Sequence, residues 1–114
     1  MRDTLTKTYK VGTNRGHKRV WIEGNMLLSF GFTRGLRFAR TMHVGYHGSW
    51  MYLIQDPQGK HRVAGTDARP IIDLNGQYLD DLFHGFTLYD VTFNAEKIRS
   101  AFAPAFLVIE GVNT

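Results

Sequence analysis

Turn signals interrupt this chain about every ten residues, and that punctuation constrains its fold more than any other feature. The signals read GTNRGHK, TRG, GYHGS, DPQGK, AGTDARP, LNG, HGF and NAEK. Between them lie short runs rich in Val, Ile, Tyr, Trp, Phe and Thr, residues that suit a pleated, half-buried surface. Strands are therefore expected near 6–12, 18–23, 35–44, 49–55, 60–65, 69–74, 86–93 and 105–111. Two segments switch to helical spacing. In NMLLSFGF, Met26, Leu27 and Phe30 share a face and Gly31 offers a stop; in GQYLDDLFHGF, Tyr78, Leu79, Leu82 and Phe83 do so and Gly85 stops. Each is about two turns at most, too short to hold without packing on a sheet. The expected fold is mostly β with two short helices, in a single domain over residues 1–114.

The text also repeats. RVWIEGNMLLSFGFTRGLRF and RPIIDLNGQYLDDLFHGFTLYDVTF each run from Arg through an apolar strand to an acid (Glu23, Asp73). A glycine beside an amide residue follows (Gly24-Asn25, Asn75-Gly76), then an apolar helix, a Gly-Phe pair and another strand. TYKVGTNRGHKRV leads the first copy and KHRVAGTDARPI the second. This reads as an imperfect duplication, repeat 1 over about 5–55 and repeat 2 over about 60–111, with no linker between. The SAFAPAFLVIEGV segment near the C-terminus is apolar enough for a buried final strand or an interaction edge.

The first copy resembles the SymE-like toxin family, within the AbrB/SpoVT-like swapped-hairpin barrels. Ile22, Gly24, Leu27 or Leu28, Gly31, Phe32 and Gly35 carry the resemblance, with the alternating strand that follows. It implies β-β-α-β-β units that exchange strands into one small barrel. Two units in one chain would form a tandem pseudo-dimer, and further homodimerisation is known in the family. It also implies a DNA-facing surface reached by Arg15, Lys18 and Arg19. The second copy departs from it, having lost most basic residues and gained Asp73, Asp80, Asp81 and Asp90.

Charge separates the same two halves. Residues 1–62 hold eleven Lys/Arg against three Asp/Glu, net +8, and residues 63–114 hold three against seven, net −4. Such polarity can turn one side of a protein toward a polyanion. The candidate nucleic-acid set is Arg15, His17, Lys18, Arg19, Arg34, Arg37, Arg40, Lys60 and Arg62, whose cations would neutralise phosphates; a merely solvated charged face is the plain alternative. Tyr46, Trp50 and Tyr52 lie beside the basic half, where they either stack unpaired bases or, the favoured reading, form packing pairs of a sheet. Asp80 and Asp81 are adjacent on a helix and do not face each other, so they suit a solvated face or a basic protein partner better than a dyad.

Other chemistries are poorly served. There is no cysteine, which removes disulfides, zinc ribbons and thiol nucleophiles. His43 and His47 are four apart, but in strand-and-turn text that spacing makes no metal pair, and no third ligand is near. No metal or other cofactor is expected. A ribonuclease could be drawn from His17, Lys18 and Glu23, but nothing in their spacing requires it. No run approaches 18 apolar residues and MRDTLTKTYK lacks an apolar signal core, so a cytoplasmic protein with no membrane partner is expected. The leading functional expectation is non-catalytic nucleic-acid binding, DNA before RNA, of a transcription-regulator or toxin–antitoxin type; it predicts loss of binding when Arg15, Lys18 and Arg19 become alanine. The alternative is a small phage or mobile-element protein that binds and inhibits a protein partner such as a defence enzyme, and an RNase toxin ranks last.

Overall fold

A computed structural model describes residues 2–46, 48–96 and 105–113. The chain is mostly β with two short helices. Its strands are β1 (Arg2–Lys10), β2 (Gly12–Asn14), β3 (His17–Glu23), β4 (Arg37–Gly45), β5 (Gly48–Gln55), β6 (His61–Arg62), β7 (Ala64–Gly65), β8 (Pro70–Asn75), β9 (Leu88–Glu96) and β10 (Phe106–Val112). The helices α1 (Asn25–Ser29) and α2 (Gln77–Leu82) follow β3 and β8. A curled sheet has the order β1-β9-β10-β5-β4-β6, and a smaller one the order β2-β3-β8-β7. Among the described residues all the pairings are antiparallel.

Both orders read the same backwards once β1, β2, β3, β4 and β5 are exchanged with β6, β7, β8, β9 and β10. Side-chain and backbone contacts follow the exchange. Tyr9 of β1 stacks on Tyr89 of β9 at 5.6 Å, and His61 of β6 stacks on Phe38 of β4 at 5.3 Å. Val11 N–H donates to Thr87 C=O, as Val63 N–H donates to Leu36 C=O, both at 2.9 Å. These two valines mark where the chain passes from the large sheet to the small one. That is why the strands expected at 6–12 and 60–65 are each broken in two.

The core lies between the sheets and under the helices. Alternation puts Val20 and Ile22 of β3, Ile72 and Leu74 of β8, Met51 and Leu53 of β5, and Leu107 and Ile109 of β10 inward. β10 lies between β9 and β5, so its apolar text is a central strand; residues 100–104 of that run lie outside the described residues. The first helix ends as its sequence predicts. Gly31 sits at φ 82°, its N–H donates to Leu28 C=O at 3.1 Å, and Phe32 N–H donates to Leu27 C=O at 2.8 Å. These are the two bonds of a Schellman end, which needs a left-handed residue at that point. Its apolar closure, Leu27 against Phe32, is fully buried.

A left-handed residue that is not glycine stands at the β2–β3 turn. Asn14 pairs with His17, leaving Arg15 (φ 53°) and Gly16 (φ 83°) as a two-residue loop. Positive φ at both positions defines a type I′ turn, which favours Asn or Gly at the first. Arg15→Asn should therefore stabilise the protein by about 0.5–1 kcal/mol, seen as a higher urea midpoint at unchanged slope.

Candidate nucleic-acid interface

Most of the basic residues at the start of β3 are held by partners within the chain. Arg19 Nε and NH2 donate to both Asp73 oxygens at 2.8 and 2.9 Å, and the guanidinium lies 4.4 Å from the Trp21 ring centre. The Asp73 hydrogen bond raises the Arg19 pKa further. His17 Nδ1 lies 2.7 Å from Asp80 Oδ2, and Lys18 N–H donates to Asp80 Oδ1 at 2.7 Å. Lys18 Nζ donates to Phe83 C=O at 2.6 Å, setting a cation at the α2 C-terminus, where the dipole favours it. Arg34 reaches Asp67 at 3.2 Å and Arg69 reaches Glu23 at 3.6 Å.

Each of these four ion pairs joins a residue of 1–62 to one of 63–114. In three of them a cation of the first half meets a carboxylate of the second. This changes the weight of the expected site: His17, Lys18 and Arg19 are spent internally, Arg34 is shared with a carboxylate, and Arg15 stands in an exposed turn. Asp80 is likewise engaged within the chain, by His17 and the Lys18 N–H. Asp81 is exposed and accepts from Gln77 Nε2 at 3.2 Å.

The Asp80 carboxyl is held below its ordinary value, chiefly by the His17 hydrogen bond and then by the Lys18 N–H. A depressed carboxylate pKa contributes stability above the unfolded-state value of about 4, which is lost as pH falls through the folded value. Asp80→Asn should lower the melting temperature at pH 7. The gap to the wild type should narrow steadily below about pH 4.

A second group of cations gathers at the β4–β6 corner. Arg37 and Arg62 are directly opposed in register, as are Phe38 and His61. Alternation places Phe38 in the core and leaves Arg37 half-exposed, donating to Gly59 C=O at 3.0 Å. Arg40 lies on the inner side, its guanidinium 3.6 Å from the centre of the Tyr78 ring on α2. Arg40, Lys60 and His61 line a cleft of about 350 Å³, with Asp56, Gln58 and Gly59 on its wall. Asp56 Oδ1 accepts from Gln58 N–H at 2.8 Å. His61 is held below its ordinary pKa by burial first, then by Arg40 and Lys60, which keeps it neutral near pH 7. Among the described residues none of Arg37, Arg40, Lys60 and Arg62 pairs with a carboxylate. Helix α2 stands between this corner and the β3 group: Tyr78 lies under Arg40, and Asp80 under His17. Tyr78 had no functional signal in the sequence, because 38 positions separate it from Arg40.

Trp50 and Tyr52 alternate with buried Met51 and Leu53, so they occupy the outer face of the curled sheet. Trp50 stacks on His43 at 4.1 Å and Tyr52 tilts against Phe106 at 6.2 Å. They form cross-strand pairs, as the packing reading expects, but away from the core. Tyr46 is fully exposed. His47 lies outside the described residues. The trio drawn for an RNase does not converge: His17 and Glu23 are six residues apart on one strand, about 20 Å, and Lys18 points to α2. Among the described residues no three His, Cys, Asp or Glu side chains are placed to hold a metal ion, and no helix is long and apolar enough to cross a membrane.

Comparison with protein-family models, curated proteins and solved structures returned no match.

Proposed function

We propose that this protein is a non-catalytic nucleic-acid-binding protein, DNA before RNA, that engages phosphates at the β4–β6 corner. The observation that carries the reading is the direct opposition of Arg37 and Arg62 on one face of β4, with Arg40 and Lys60 at the adjoining cleft, which Arg37 and Arg62 do not line. Like charges held opposite each other destabilise a sheet pair, and a phosphate between them relieves that repulsion while releasing counterions. The single carboxylate on the cleft wall, Asp56, leaves the corner strongly positive. The same reading takes the two halves as degenerate swapped-hairpin repeats in a tandem pseudo-dimer, which the palindromic strand orders support. A transcription-regulator or toxin–antitoxin role follows from the SymE-like and AbrB-like resemblance alone.

The test is an electrophoretic shift with duplex DNA, single-stranded DNA and RNA. The variant Arg37→Ala/Arg40→Ala/Lys60→Ala/Arg62→Ala should lose binding. The variant Arg15→Ala/Lys18→Ala/Arg19→Ala should largely keep it. The reverse order of effects would return the site to the β3 turn, and no shift at any salt would remove the reading.

A further inference from the structure

The halves of the curled sheet are built alike but not filled alike. β1 lies along β9 over nine residue pairs, from Arg2↔Glu96 to Lys10↔Leu88. Its counterpart β6 lies along β4 over only two, Arg37↔Arg62 and Phe38↔His61. The chain path explains the shortfall. β6 follows β5 through a turn at 56–59, closed by Gly59 N–H donating to Asp56 C=O at 2.9 Å. That turn is wedged against the Phe38 backbone, so the chain reaches the edge of β4 only at residue 38. From residue 39 to residue 45, β4 therefore has a strand partner on the β5 side only, among the described residues. Alternate N–H and C=O groups of such an edge point outward unpaired.

We propose that this open edge of β4 binds an extended acidic segment of a partner protein, added antiparallel in the place that β1 fills on β9. Backbone groups supply the attraction and side-chain chemistry the choice of partner. At the β6 end the added strand meets Arg40, Lys60 and His61 around the cleft. At the other end it meets Val44, 78% exposed, and Tyr46, fully exposed. An antiparallel strand enters with its N-terminal end at residue 45 and leaves at residue 39. The segment is therefore apolar at its start and acidic at its end. A second copy of this chain fits worse, since residues 39–46 of a second β4 carry no acid to meet Arg40 and Lys60. This proposal goes beyond nucleic-acid binding and does not depend on it; the two uses share Arg40 and Lys60, so the ligands should compete.

The probe is a fluorescein-labelled ten-residue peptide with alternating threonines, valine and tyrosine in its first half and three glutamates in its second. It is titrated against the full chain without nucleic acid and read by anisotropy. Saturable binding is expected, with protection of the residue 39–45 amides from hydrogen exchange. Changing the glutamates to lysine should abolish it, and the variant Arg40→Glu/Lys60→Glu should reverse that preference. N-methylation of one alternating set of peptide nitrogens should cost at least about tenfold, and of the other set little. These peptide controls leave the fold of the protein untouched. Absence of binding up to about 1 mM, or equal tolerance of both methylated sets, would overturn the proposal. So would a dimer in sedimentation whose residue 39–45 amides are protected from exchange without peptide, which would assign the edge to a second copy. A failed nucleic-acid shift leaves all of these outcomes readable.

Discussion

Replacing Gly59 with alanine is expected to destabilise the protein by on the order of 3 kcal/mol and to open the basic corner with it. An added Cβ would lie 2.3 Å from the Phe38 carbonyl oxygen and 2.4 Å from its carbonyl carbon. Phe38 is paired on both sides, with Gln55 and with His61, so its backbone cannot swing away. The turn must lift instead. That breaks the Arg37 bond to Gly59 C=O and detaches β6. Lys60→Ala at the exposed neighbouring position should change stability by less than about 0.5 kcal/mol. Urea denaturation of both variants checks this. An unchanged midpoint for Gly59→Ala would mean that the turn is not packed on β4.

Removing the four corner cations should weaken binding to duplex DNA by at least about a hundredfold at 50 mM salt. Four neutralised phosphates give a slope of log affinity on log salt near −3.6, which lowers affinity about a hundredfold between 50 and 200 mM. The β3-turn variant should lose less than about tenfold, because Lys18 and Arg19 already have partners. It should instead lose stability, since Asp73 is left without its bidentate donor. Titration by anisotropy with a labelled 20-base-pair duplex separates the two variants.

Local sequence rules carried much of the fold. The spacing of turn residues located the strands, and Gly31 marked the end of α1 because only a left-handed residue closes that end without strain. The self-similar text marked the same segments that cross between the sheets at Val11 and Val63. The split of each leading strand was not legible, since nothing local says that a valine leaves one sheet for another. The candidate site was legible in part. Arg37, Arg40, Lys60 and Arg62 could be picked as basic residues, but not as a group apart from His17, Lys18 and Arg19. Charge along a sequence is one-dimensional, whereas neutralisation depends on contacts 54 to 63 residues away, such as Arg19 to Asp73 and His17 to Asp80. The net +8 of residues 1–62 overstated the basic surface, and the acids of the second half supplied the difference.

The salt dependence of DNA affinity tests most directly the proposed concentration of phosphate-binding cations at the β4–β6 corner. With a 20-base-pair duplex from 50 to 200 mM salt, the wild type should give a log–log slope of about −3 to −4. The four-cation variant should give a slope near zero, and the β3-turn variant a slope within about one unit of the wild type. Equal slopes for the wild type and the four-cation variant would contradict it.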